Sequence, residues 1–367
     1  MFSGVFKGIR RLQFNGNRAN QGATSHIIVG SSGADVYVED CLIWQGAGDG
    51  LRVVDPGGDM WTWRIVNCTF ENFTNYGINI QQTNAARYFR NIQLRGLYCW
   101  TCRSGAINLV GASQNVYEVL VTGCRVGYAN DCLIQADDCK WMAITGNTFD
   151  SPGQNAAGND ACIYLNDCLQ TTIVCNVMYN DLGFVNAYGI DLQGTTNRIQ
   201  ISDNVIYDSG NAWLGPMNLG AANVDGLIRN NIGYIARGEV RSASGALTAG
   251  NANAICFAWH NPEAQDVLVK KVVVEVTTGG GTVGSHLDVG IADDAAGTNR
   301  GTEFFDDLLL NSVQINDSWL AGDGGTQTKW VFCQDSASAT DGWVVGQILD
   351  ANAANLVGRY YIEYEGR

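Results

Sequence analysis

Over the first two-thirds of the chain, apolar and polar residues alternate for four to six positions, break at Gly, Asn or Asp, and then begin again. Alternation of period two is the mark of a half-buried strand. The segments YGINIQQT (76–83) and YGIDLQGT (188–195) are nearly the same text 112 residues apart, which is four steps of 28. Intermediate copies align on the small residues Gly50, Gly77, Ala106, Cys132, Cys162, Gly189 and Pro216, separated by 26 to 30 residues. After each comes Leu51, Ile78, Ile107, Leu133, Ile163, Ile190 or Met217, and two further on Val53, Ile80, Leu109, Gln135, Leu165, Leu192 or Leu219.

A second series repeats at the same interval: Cys41, Cys68, Arg95, Cys124, Asn147, Asn176, Asn204 and Asn231. Three residues earlier stand Val38, Ile65, Ile92, Val121, Ile144, Ile173, Ile201 and Ile228. Two residues later come Ile43, Phe70, Leu97, Val126, Phe149, Met178, Ile206 and, breaking the pattern, Gly233. A 28-residue unit of short strands cannot bury its own apolar face, so neighbours must stack into one continuous core. The period predicts a parallel β-helix of eight to nine coils over residues 1–238. The L-x-x-L-x-L pattern of leucine-rich repeats is absent, and propeller blades need about 40 residues. Stacking places Asn147, Asn176, Asn204 and Asn231 in an amide ladder at the ~4.8 Å strand spacing. Asn also suits left-handed corners.

Near Ile235 the period ends. The small, polar stretch RGEVRSASGALTAGNAN (237–253) reads as a linker or domain entry. Beyond it, short strand-like runs separated by Gly/Asp/Asn loops predict an antiparallel β-sandwich, jelly-roll-like, over 239–367.

Composition agrees with an all-β chain: 45 Gly, 4 Pro and 16% charged residues. A net charge of −14 with 22 Lys+Arg excludes nucleic acid and anionic membrane as the main partner. No run approaches the ~18 apolar residues of a membrane span. The opening MFSGVFKGIRRLQFNGN has no apolar core followed by a cleavage site, so no secretory signal is expected. Twelve cysteines are many for such a chain. Stacking sets Cys41 over Cys68, Cys132 over Cys162 and Cys139 over Cys168, near disulfide separation, but as buried small residues they need no bond. CWTC (99–102) lacks the second Cys pair or His pair of a zinc site. No metal or cofactor is expected, and nothing in the sequence points to Ca²⁺.

The opening LQFNGNRANQG (12–22), the coils from VYVEDCLIWQGAGDGLRV (36–53) onward and the Asn series resemble the pectate-lyase-like right-handed β-helices, and among them phage tailspike and tail-fibre proteins. The C-terminal segments resemble sandwich domains of phage structural proteins. That resemblance implies a homotrimer with other virion proteins as partners, binding and often cleaving cell-surface polysaccharide. It also implies assembly in the host cytoplasm, with thiols kept reduced, and action outside the cell as part of the virion. Two other readings stay open: a non-catalytic structural virion protein, and a free β-helix hydrolase or lyase.

Between the inward residues run Arg52, Asn79, Asn108, Ile134, Tyr164, Asp191 and Asn218, with Gln81, Asn166 and Gln193 further along the strands. This polar stripe suits sugar hydroxyls. QADDC (135–139) and LNDC (165–168) align by their cysteines, which stacks Asp138 on Asp167 with Asp137 beside Asn166. Glycan hydrolysis needs one protonated and one ionised carboxyl, and Asp137, Asp138, Asp167 and Asp191 are the candidates. QADDC also resembles a segment of polygalacturonase-type β-helices, whose accompanying Asn-Thr-Asp, Gly-His-Gly and Arg-Ile-Lys segments are missing here. Trp44, Trp100 and Trp213 are candidate sugar platforms, and Trp63 points into the core.

Overall fold

The computed structural model describes residues 7–22, 25–30, 33–54, 57–153, 160–180, 187–207, 215–220, 227–234, 239–263, 265–280, 284–319, 331–334 and 340–366. Two compact units divide the chain, Met1–Ile232 and Gly233–Arg367. Trp213 lies outside the described residues.

Unit one is a parallel β-helix of three sheets. The first sheet has nine strands, from Lys7–Arg10 and Gly33–Glu39 through to Ile228–Arg229. The second has eight three-residue strands, from Gln13–Asn15 to Val205–Tyr207, and the third has eight, from Ile28–Gly30 to Gly215–Asn218. Each strand pairs in parallel with the equivalent strands of the coils before and after it. Three strands per coil explain the period: each coil must return to the same point one strand spacing further along the axis.

The apolar series become vertical files inside the tube. Ile65, Leu94, Val121, Ile144, Ile173 and Ile201 are in register and all but fully buried. Trp63 is buried and meets the Phe89 ring edge-on at 5.7 Å. Two alignments differ from the sequence expectation. Leu97, not Arg95, continues the series of Cys41 and Cys68, because Tyr98 pairs with Thr69. Likewise Leu94, not Ile92, lies on Ile65. In the fifth coil Ile134 pairs with Ile107 and Ile163, so it points inward and Gln135 points out. The strand there is one residue out of step with the sequence alignment, and such a slip exchanges the faces.

The amide ladder is present. Asn147, Asn176 and Asn204 each donate Nδ2–H to the Oδ1 of the next Asn at 2.9–3.0 Å. Each Oδ1 also accepts the backbone N–H of the residue one coil earlier. The left-handed corner falls one residue before the ladder, at Asp40, Asn67, Gly96, Gly123, Gly146, Cys175, Asp203 and Asn230, with φ between 52° and 66°. The Asn side chains are therefore used for hydrogen bonding and not to relieve the turn.

All twelve cysteines are free thiols. Cys139 and Cys168 stack as expected, whereas Cys132 stands opposite Ala161 and not Cys162, through the same one-residue slip. Burial pushes the Cys68 and Cys102 thiols up to about 12, which keeps them protonated and unreactive.

Unit two is an antiparallel sandwich. Val240–Ala246, Val357–Gly366, Val267–Thr278 and Gln314–Asp317 form one sheet, with Val331–Cys333 also on Val267–Thr278. Ile255–His260, Trp343–Leu349, His286–Ala292 and Phe305–Leu309 form the other. Val272, Val274, Leu287, Val289, Phe305 and Ile348 belong to the core between them. Within 237–253, the stretch read as a linker, Val240–Ala246 is a full strand on Arg359–Glu365.

Asn176→Ala removes the acceptor of two donors on Asn147 and the donor to Ile144 O. Orphaned buried groups cost about 1–3 kcal/mol each, so urea unfolding should show a loss of roughly 3 kcal/mol. A loss below about 0.5 kcal/mol, the size of an ordinary surface substitution, would deny the ladder its role.

Candidate functional site

The outward face of the third sheet carries a file in strict register: Arg52, Asn79, Asn108, Gln135, Tyr164, Asp191 and Asn218. Beside it run Gln81, Val110, Asp137, Asn166 and Gln193. Gln135 takes the place the sequence reading gave to Ile134.

The early coils satisfy their polar groups internally. Asp49, fully buried, accepts from Arg52 NH1 at 3.1 Å, Asn79 Nδ2 at 3.0 Å and the Tyr76 N–H at 3.2 Å. The Asp49 N–H donates to His26 Nδ1, whose pKa is lowered mainly by burial. Asn79 Oδ1 then accepts from both Asn108 Nδ2 and Gln81 Nε2 at 3.0 Å. The network ends at Asn108 Oδ1, buried without a partner.

Further along, the face opens into a pocket of about 500 Å³ bordered by Asp131, Cys132, Gln135, Asp160, Tyr164, Asn166, Gln193 and Gly194. Asp131 precedes the strand Ile134–Asp137 and its carbonyl accepts the Gly153 N–H at 3.3 Å, while Asp160 opens the strand Asp160–Asn166 of the next coil. Asp160 is 7% exposed, and its Oδ2 has no partner. Burial, then the charge of Asp131, pushes its carboxyl up to about 6. Asp191 is 0% exposed. Its Oδ1 accepts from Gln193 Nε2 at 2.7 Å and Asn218 Nδ2 at 2.9 Å, while its Oδ2 has no partner. Burial raises its pKa too, and raises that of the Tyr164 phenol, with Asp191 the next cause.

Asp138 and Asp167 occupy a left-handed corner, φ 54° and 51°, followed in the next coil by Gly194 at φ 61°. Asp138 Oδ2 accepts the Ser113 N–H at 3.0 Å. Asp167 Oδ1 accepts the Thr195 N–H at 2.7 Å and its hydroxyl at 2.8 Å, bonds that hold its pKa below the usual carboxylate value. Gly194 has to be Gly: a Cβ would collide with Asp167 Oδ1 and Asn166 Oδ1. Asp137 Oδ1 accepts from Asn166 Nδ2 at 2.8 Å.

Of the residues singled out from sequence, Tyr164, Asn166 and Gln193 border the pocket, Asp137 and Asp191 hydrogen-bond two of these, and Asp138 and Asp167 close turns at its edge. Arg52, Asn79, Gln81 and Asn108 belong to the earlier network, and Asn218 caps the far side of Asp191. Sequence reading missed Asp131 and Asp160, although they are separated by the same 29-residue step that aligns Cys139 with Cys168. Trp44 and Trp100 are half-buried, Trp100 lying on Tyr98 and Tyr128. The more exposed Trp61 and Trp141 sit on the first sheet, with Arg90 and Lys140 over their rings. Among the described residues, the groups close enough to share a cation are His286, Asp307 and Asp350, and Asp288, Asp306 and Asp307, all in unit two.

Comparison with protein families and with curated proteins finds no match. Solved structures with a similar fold include ORF18 of Geobacillus virus E2, 11% identical, TM-score 0.45, covering 96% of this chain and 59% of that one. They also include the enzymatically active domain of bacteriophage CBA120 tailspike protein 4, 10% identical, TM-score 0.36, covering 91% and 55%. The A-module of Azotobacter vinelandii mannuronan C-5 epimerase AlgE6 is 13% identical, TM-score 0.35, covering 61% and 73%. This chain thus spans little more than half the length of the two phage proteins.

Asp160 carries a raised pKa, so the folded state binds more protons than the unfolded state between the ordinary carboxylate value of 3.8 and about 6. Stability therefore falls as pH rises through that window. Asp160→Asn should unfold at higher urea than the parent at pH 7.5 and at the same urea at pH 3.5. Equal midpoints at both pH values would place Asp160 in an ordinary aqueous setting.

Proposed function

We propose that this chain is a phage tailspike-type protein that holds a surface polysaccharide along the third sheet and hydrolyses it at the pocket. One observation carries the reading: two carboxyls on adjacent coils, Asp131 and Asp160, border the same pocket, and one of them titrates near 6. Such a pair is what glycoside hydrolysis requires. Asp160, protonated, gives its proton to the glycosidic oxygen as that bond breaks. Asp131, ionised, attacks the anomeric carbon. Water then cleaves the ester, its proton returning to Asp160. Gln135, Asn166 and Gln193 supply amide donors and acceptors for sugar hydroxyls, and Tyr164 an apolar ring face.

The sequence-derived pair Asp138 and Asp167 is assigned to turn closure in this proposal, because Asp167 is held ionised by its hydrogen bonds and has no proton to give. The same proposal includes a homotrimer, partner virion proteins and action outside the cell, carried over from the resemblance of the coils; light scattering showing a stable monomer counts against the trimer. The non-catalytic alternative is favoured by Asp49 and Asn79, whose side-chain hydrogen bonds are made within the chain.

Incubation with bacterial surface polysaccharides should release new reducing ends. Asp160→Asn and Asp131→Asn should each lower kcat by at least ~10²-fold, with Asp138→Asn and Asp167→Asn keeping kcat within about tenfold. Since the acid must be protonated, kcat should fall above about pH 6. Normal turnover in Asp160→Asn moves the acid elsewhere, and no reducing ends across a broad panel reject hydrolysis.

A further inference from the structure

The pocket's charge restricts what can enter it. From Asp131 to Asn197 the chain holds eight Asp and a single basic residue, Lys140. Lys140 is on the first sheet, its Nζ 5.1 Å from the Tyr117 ring centroid and 4.9 Å from that of Trp141. Among the strands of the third sheet the one cation is Arg52, three strands from Gln135 and already on Asp49 at 3.1 Å. Among the described residues, no Lys or Arg borders the pocket.

Two buried oxygens add direction. Asp160 Oδ2 at the pocket and Asp191 Oδ2 beside Tyr164 lack partners, although both residues are more than nine-tenths buried. Buried polar atoms are ordinarily bonded, and Asp160, which borders the pocket, is there open to a donor from a ligand whenever its carboxyl is ionised. A hydroxyl or an ammonium supplies one, whereas a carboxylate, sulfate or phosphate supplies none and meets like charge in a partly desolvated site.

We propose that the glycan segment seated at this pocket carries no negative charge and is built of neutral or amine-bearing sugars, not uronic acids. The inference rests on the glycan-binding reading above and goes beyond it by naming the substrate class.

Affinity electrophoresis of the full chain tests it, in gels containing neutral, amine-bearing or uronate-rich bacterial polysaccharides of known composition. Retardation by a neutral or amine-bearing polymer, at least about tenfold stronger than by any uronate polymer, is expected; tenfold corresponds to ~1.4 kcal/mol. Amine-bearing binders should weaken with added salt and neutral ones should not. Tyr164→Ala should cut retardation about tenfold, the ~1.4 kcal/mol lost with a stacking ring; unchanged retardation places the ligand elsewhere and overturns the assignment. A uronate polymer bound as well or better overturns the charge class while leaving glycan binding standing. Silence from every polymer removes the glycan reading and this inference together.

Discussion

Everything in unit one depends on how each coil hands its corner carbonyl to the next. The carbonyl file Ile9, Val38, Leu94, Val121, Ile144, Ile173 and Ile201 accepts side-chain donors from a single corner position. Cys41, Cys68 and Cys124 supply thiols at 3.4–3.8 Å in the early coils. Asn147, Asn176, Asn204 and Asn231 supply amides at 2.9–3.1 Å in the later ones. Buried backbone oxygens at a bend need a partner, and a tube has many bends. Leu97 is the member of this file that offers no donor. The cysteines that look like a redox or metal inventory in the sequence are, in the tube, weak donors of the size a corner admits. Burial makes the Cys68 and Cys124 thiols reluctant to ionise.

The site grows out of the same stacking, and its chemistry is set by which polar groups are left unsatisfied. Coils that carry Asp49, Asn79 and Asn108 spend their hydrogen bonds on one another and read as structure. Asp160 and Asp191, on the later coils, are buried with one carboxyl oxygen each unpartnered among the described residues, and carboxyls in that setting hold protons more tightly. Asp167 lies a few residues away along the same strand and has the opposite fate, because two Thr195 groups hydrogen-bond it. One axial repeat thus yields both a low-pKa cap and a high-pKa acid, the first set by the hydrogen bonds of Thr195 and the second by burial and then the charge of Asp131.

Errors of register show what a repeat pattern can and cannot transmit. Writing Arg95 for Leu97, and with it Ile92 for Leu94, displaced a strand by two residues. Because side chains alternate with period two, Ile92 and Leu97 kept apolar residues in the inward files, and the one trace of the slip was the charged Arg95 in the corner series. Shifting the fifth coil by one residue also left a trace: Gln135 stood in an apolar file and Ile134 in a polar one. Treating that mismatch as a register fault would have brought Gln135 to the outer face.

From the chain alone came the tube, its period, the amide ladder, the inward files, the change to a sandwich and a polar outer stripe. These follow from apolar periodicity and from side chains that repeat at the coil length, both of which are local or strictly periodic signals. Tertiary structure decided the rest. Which Asp is buried, which oxygen lacks a donor and which corner is left-handed depend on neighbours 27 to 30 residues away and on where each coil widens. Asp160 and Asp167 are the same residue type on one strand repeat in the sequence. Only packing against adjacent coils raises the pKa of one to about 6 and gives the other a pair of hydrogen bonds that keep it charged.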